Sequence, residues 1–159
     1  MSNQQGGDLF SVPTLNSTTR PSSGFEISLF CDTEPTLTSK FTETKTTRRE
    51  AYNLARLRVG IPAVGDEPGT PKDVILYGIE DQVMETSIRN IAFWRGGRWV
   101  TPPLLDGCLP GIARRFLLEE GKIVEGRVLM KDLKVGEVLL VFNAVEGARL
   151  GKITDRSVV

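Results

Sequence analysis

Apolar residues recur at Phe25, Ile27 and Leu29 against polar Glu26 and Ser28, and this two-residue period predicts a strand with one buried face. Turn-forming residues from Cys31 to Ser39 end it. The period then lengthens. Ala51, Leu54, Ala55 and Val59 predict a helix beginning near Thr47, where Thr47 and Glu50 have the spacing of a capping box, and Gly60 with Pro62 stops it. Glycines and prolines at Gly65, Pro68, Gly69 and Pro71 make a loop, after which Val74-Ile75-Leu76-Tyr77 reads as a strand covered on both faces.

Ile91 to Trp94, the pair Gly96-Gly97 and Arg98 to Thr101 form a hairpin signal, ended by Pro102 and Pro103. A second helix is predicted from Pro110 to Glu120, with Ile112, Phe116 and Leu117 on one face and Gly121 beyond its end. Ile123 to Met130 and Glu137 to Phe142 read as further strands, and Ile153 as the start of a last one. No fixed-period repeat occurs. The expected fold is α+β, a mixed sheet of short strands with two helices. Residues 1–24, rich in Ser, Thr, Asn, Gln, Gly and Pro, read as a disordered polar tail ahead of one domain over 25–159.

Composition narrows the chemistry. The 159 residues suffice for one domain with a real core. With no histidine, the chain has no Ser-His-Asp or Cys-His nucleophile and no histidine metal site or acid/base; lysine, carboxylate, tyrosine, cysteine, backbone dipoles or a cofactor must carry any catalysis. Twenty basic side chains balance twenty acidic ones, which argues against nucleic acid as a partner. Cys31 and Cys108 lie in no CxxC and read as reduced thiols of a cytoplasmic protein. The longest apolar run, Val138 to Phe142, is far short of a membrane helix, so no membrane partner is expected.

Singly, the candidate residues are ambiguous. Lys45, just ahead of the first helix, reads as a solvated surface lysine, and Glu85, after Val83-Met84 at a strand end, as an exposed edge carboxylate. Gly111-Ile112-Ala113 opens a helix whose free N–H groups can hold an anion, although a plain helix start is commoner. Asn143-Ala144 is a second anion nest or simply a turn. Trp94 and Trp99 read as cross-strand packing, Tyr52 as core with a hydrogen-bonded hydroxyl, and Cys108 as a thiol with no base to activate it.

In order, however, Val83-Met84-Glu85, Arg89-Asn90-Ile91-Ala92-Phe93-Trp94, Thr101-Pro102-Pro103 and Cys108-Leu109-Pro110-Gly111-Ile112-Ala113-Arg114 resemble the fold-type IV, class IV pyridoxal-phosphate enzymes. That family includes branched-chain and D-amino-acid aminotransferases and aminodeoxychorismate lyases. Lys45-Thr46-Thr47-Arg48-Arg49 with Tyr52, and the run Trp94-Arg95-Gly96-Gly97-Arg98-Trp99, look most like its fungal aminodeoxychorismate-lyase branch. The resemblance covers about Phe41 to Gly151 and implies the C-terminal domain of the D-amino-acid aminotransferase-like fold.

By that resemblance the cofactor is pyridoxal 5'-phosphate. Lys45 would form the Schiff base and then move the α-proton of an amino-acid-like small-molecule substrate, which suits a histidine-free chain. Lys40 ranks behind it, because Phe41-Thr42 follows rather than the Thr-Thr-Arg-Arg run. Glu85 would pair with the ring nitrogen. Gly111, Ile112 and Ala113 would cup the phosphate, with Asn143-Ala144 as the second phosphate loop and Arg49 near the ring. Ala113 departs from the family's usual threonine, so only N–H groups remain there. Family members are usually homodimers, and they carry a smaller domain ahead of the lysine that supplies most of the substrate pocket. Only the polar tail and the Phe25 strand precede Lys45 in this chain. The alternative to an active lyase or transaminase is therefore a truncated, inactive remnant serving as a cofactor-binding or assembly domain.

Overall fold

A computed structural model describes residues 9–15, 27–37, 45–63 and 71–155, with the backbone alone at 45–48 and 155. The first alternating segment forms β1 (Ile27–Cys31), with Ile27, Leu29 and Cys31 buried; Phe25 and Glu26 lie outside the described residues. Then come α1 (Lys45–Arg58), β2 (Lys72–Tyr77), β3 (Val83–Thr86), β4 (Asn90–Arg95), β5 (Arg98–Thr101), α2 (Ile112–Glu119), β6 (Val124–Glu125), β7 (Val138–Asn143) and β8 (Gly147–Asp155). Among the described residues the strands make one mixed sheet in the order β3-β2-β1-β8-β7-β4-β5-β6. β1 runs parallel to both β2 and β8, and β5 to β6, while the other pairs are antiparallel.

The sheet curls until its ends approach. The Val83 N–H donates to the Val128 carbonyl at 2.8 Å, and Gln82 bridges Leu129. Its concave side holds the main core, including Ile27, Leu29, Ile75, Phe93, Val141 and Ile153. Each such side chain withdrawn from water contributes about 1.5–3 kcal/mol before ordering costs. Both helices sit on the convex side. Tyr52 and Ala55 of α1 pack on Val74 and Leu76 of β2, and Ala113 and Leu117 of α2 pack on Ala92, Leu140 and Phe142.

The hairpin follows expectation. Gly96 and Gly97 both have positive φ, +59° and +77°, as a primed two-residue turn requires, and Trp94 pairs with Trp99 edge-on at 5.2 Å. Four expectations need correction. Helix α1 spans Lys45–Arg58, so Thr47 lies within its first turn; a cap worth about 1 kcal/mol does not by itself fix where a helix starts. Its buried line passes through Tyr52 and Ala55, and Leu54 is exposed. Of the strand expected over 123–130, only Val124–Glu125 forms a strand, with Leu129 in an isolated bridge to Gln82, because the chain turns Val128 and Met130 into the main core. The last strand starts at Gly147, not Ile153: β7 and β1 flank it on both sides, and their hydrogen bonds override the weak strand preference of Ala148 to Lys152.

Part of the polar stretch 1–24 is also packed. Leu9 accepts a hydrogen bond from the Ala148 N–H at 2.7 Å, Trp99 Nε1 donates to the Pro13 carbonyl at 2.7 Å, and the Phe10 ring lies 5.1 Å from Phe116. The few apolar residues of that stretch are what hold it; the rest of it lies outside the described residues.

Candidate functional site

Glu85 is aimed by an irregularity in β3. Leu76 pairs with Glu85, but Tyr77 pairs with Val83, so Met84 is an extra residue. A regular strand would put Glu85 on the same face as Val83, inside the main core; the bulge turns it to the α1 side. There it is 3 % exposed. Tyr52 Oη donates to its Oε1, and the Leu109 N–H donates to its Oε2 at 2.8 Å. The expected exposed edge carboxylate is instead a buried one, held by α1 on one side and by the approach to α2 on the other.

That approach is built tightly. Asn90, the first residue of β4, donates through Nδ2 to the Leu109 carbonyl at 3.0 Å. A Cβ on Gly111 would stand 2.3 Å from Asn90 Oδ1, so any larger residue there has to displace the Asn90 amide. The first helical hydrogen bond runs from the Arg115 N–H to the Gly111 carbonyl, which leaves the N–H groups of Ile112, Ala113 and Arg114 without a helical acceptor. The helix dipole adds positive potential at the same point. The Ala113 methyl itself is buried against β4 and β7.

The turn after β7 forms a third wall. Asn143 Oδ1 accepts from the Val145 and Glu146 N–H groups at 3.1 and 2.7 Å, so its side chain shapes its own turn. Arg89 locks this turn to the sheet. Its Nε and Nη2 donate to Glu146 at 2.7 and 2.8 Å, and its Nη1 to Asp73 Oδ2 at 2.6 Å, with Asp73 fully buried. The Arg89 bonds hold the Glu146 carboxyl below the ordinary carboxylate range.

Tyr52, Glu85, Asn90, Gly111, Ile112, Asn143 and Ala144 line one cleft of about 240 Å³. Arg49 is exposed on α1 and does not line it. Lys45 is the first residue of α1, and its side chain lies outside those described. Among the described lining residues Arg89 is the one cation, and its guanidinium is committed to Asp73 and Glu146. Cys108, nearby, is inert: burial pushes its thiol up to about 11. Reasoning from sequence missed Tyr52 as a site residue; the available signal was a phenol among small apolar residues on the helix that Lys45 opens. The cleft suits a ligand with a cationic or N–H group facing Glu85 and an anionic group met by backbone N–H groups.

Residues 8–150 match the family model described as amino-transferase class IV. The chain is 35% identical over 134 residues to an aminodeoxychorismate lyase of Saccharomyces cerevisiae, a match that covers 77% of this chain and 36% of that protein. It thus spans about a third of that relative's length. Among solved structures, a 4-amino-4-deoxychorismate lyase from Pseudomonas aeruginosa superposes with a TM-score of 0.60 at 19% identity, over 82% of this chain and 48% of that one. The branched-chain amino acid aminotransferase from Escherichia coli gives 0.60 at 16% identity, over 82% and 44%. No helix among the described residues is long and apolar enough to cross a membrane.

Proposed function

Because this chain belongs to the class IV amino-transferase family, we propose that its cleft binds pyridoxal 5'-phosphate and serves lyase or transaminase chemistry on an amino-acid-like substrate. The observation that carries this reading is the buried Glu85 carboxylate opening into a cleft walled on its far side by the start of α2 and the Asn143 turn. Bound there, the cofactor supplies an electron-withdrawing ring that stabilises negative charge on the α-carbon of an attached amino acid.

The chain's own residues then have separable tasks. Glu85 keeps a proton on the ring nitrogen, because a buried carboxylate stabilises a cation beside it. The N–H groups of Ile112 and Ala113, with the Asn143-Ala144 turn, meet the phosphate without any side-chain hydroxyl at position 113. Lys45 would hold the cofactor and would be the base that moves the α-proton. Likeness to the yeast enzyme supports the lyase over the transaminase outcome. A homodimer completes the reading.

Incubation with pyridoxal phosphate should give a visible absorption band, and borohydride reduction should leave a pyridoxyl adduct on the Lys45 peptide in mass spectrometry, absent from Lys45→Ala. A colourless protein, or an adduct on Lys40 in its place, sinks the assignment. A band without turnover of any amino-acid substrate is the outcome that fits the remnant alternative.

A further inference from the structure

Glu85 joins the two elements that carry the rest of the site. Its Oε1 accepts from Tyr52 on α1, and its Oε2 accepts at 2.8 Å from the Leu109 N–H, two residues ahead of Gly111. Tyr52 stands seven residues after Lys45, two helical turns on the same face of α1, about 10 Å along the axis. Its ring is 8 % exposed and packs among Ala55, Ile61, Val74 and Leu76, and its hydroxyl leaves that apolar cluster to reach the carboxylate. A tyrosine serving only as filler there could be phenylalanine.

We propose that Tyr52 is a positioning residue of this site: its hydroxyl holds the Glu85 carboxylate in the rotamer that faces the cleft and fastens the lysine-bearing helix to the strand that carries it. The inference rests on the cofactor reading above. Donors on both oxygens stabilise the ionised carboxylate against burial. A carboxylate has about four lone-pair sites, so accepting from Tyr52 and Leu109 does not by itself exhaust it. Removing the hydroxyl takes away the donor that α1 supplies to Oε1. The bulge at Met84 sets the face on which Glu85 lies, and the Tyr52 hydroxyl then holds its carboxylate there.

The test compares two cofactors. Tyr52→Phe keeps the ring in its packing and should weaken pyridoxal phosphate binding, read by absorbance titration, by about tenfold, as expected for one hydrogen bond to a charged group. Binding of the deaza analogue, in which C–H replaces the ring nitrogen, should not change, and in a Glu85→Gln background Tyr52→Phe should add nothing. Equal losses for both cofactors, or no loss, overturn the inference by reducing Tyr52 to a packing residue. If neither cofactor binds the unaltered protein, or Tyr52→Phe does not fold, the linkage is read directly. With only two tyrosines in the chain, the Tyr52 ring-carbon resonance can be assigned. It should shift in Glu85→Gln, and an unshifted resonance overturns the tether. A shift without cofactor binding upholds the tether and rejects the cofactor reading.

Discussion

Arg89→Met removes the charge that holds the wall of the cleft to the sheet. The Arg89 side chain is 4 % exposed and Asp73 is fully buried. After the substitution Asp73 keeps the Ser87 hydroxyl at 2.5 Å and Arg56 at 3.7 Å, but loses its 2.6 Å guanidinium partner. Breaking a buried ion pair from one side costs about 3–5 kcal/mol, and the remaining Arg56 places this case at the lower end. Glu146 is 27 % exposed, so its lost partner adds about 1 kcal/mol or less. Against a domain stability of about 5–15 kcal/mol the total is large. At about 2–4 °C per kcal/mol for a domain of this size, the melting temperature should fall by roughly 6–16 °C. Urea unfolding followed by circular dichroism measures the loss. A loss under about 1 kcal/mol would refute the account of Arg89 as compensation for a buried carboxylate.

Three further outcomes follow from the same geometry. Because Arg89 depresses the folded-state Glu146 carboxyl, its stabilisation is present above the unfolded value of about 4.3 and is lost as pH falls through the lower folded value. The melting-temperature gap between the unaltered protein and Glu146→Gln should therefore shrink below about pH 4, and a constant gap would contradict it. At pH 8 a thiol at about 11 holds roughly two orders of magnitude less thiolate than a free cysteine, so iodoacetamide should label Cys108 far more slowly in the folded than in the urea-unfolded protein. Equal rates count against its burial. Gly111→Ala must displace Asn90 and its bond to the Leu109 carbonyl, which should lower stability by about 1–3 kcal/mol in thermal melts and weaken phosphate binding; an unchanged melt shows that the cradle yields freely.

Elements with strong local chemistry were legible one by one. The Gly96-Gly97 hairpin, the stop of α2 before Gly121 and the run beginning at Val74 all stand where their residues predict. Elements whose support comes from neighbours were not. Strand β8 exists because β1 and β7 flank it, and the strand expected through Met130 is broken because Val128 and Met130 fill the main core. The candidate site divides in the same way. Glu85, Gly111, Ile112, Asn143 and Ala144 converge on one cleft as their order in the chain suggests, whereas Arg49 does not line it.

Sequence by itself determined which side chains this chain can offer to chemistry. The lack of histidine and the ordered run from Lys45 through Glu85 to Gly111 are covalent facts, independent of packing. Only the tertiary structure decided that Glu85 is buried, that Tyr52 reaches it, and that Arg89 is committed to Asp73 and Glu146. Those three outcomes depend on a strand bulge and on contacts between residues 16 to 57 positions apart. Periodicity along a chain records which face a residue prefers; it carries no record of what stands opposite.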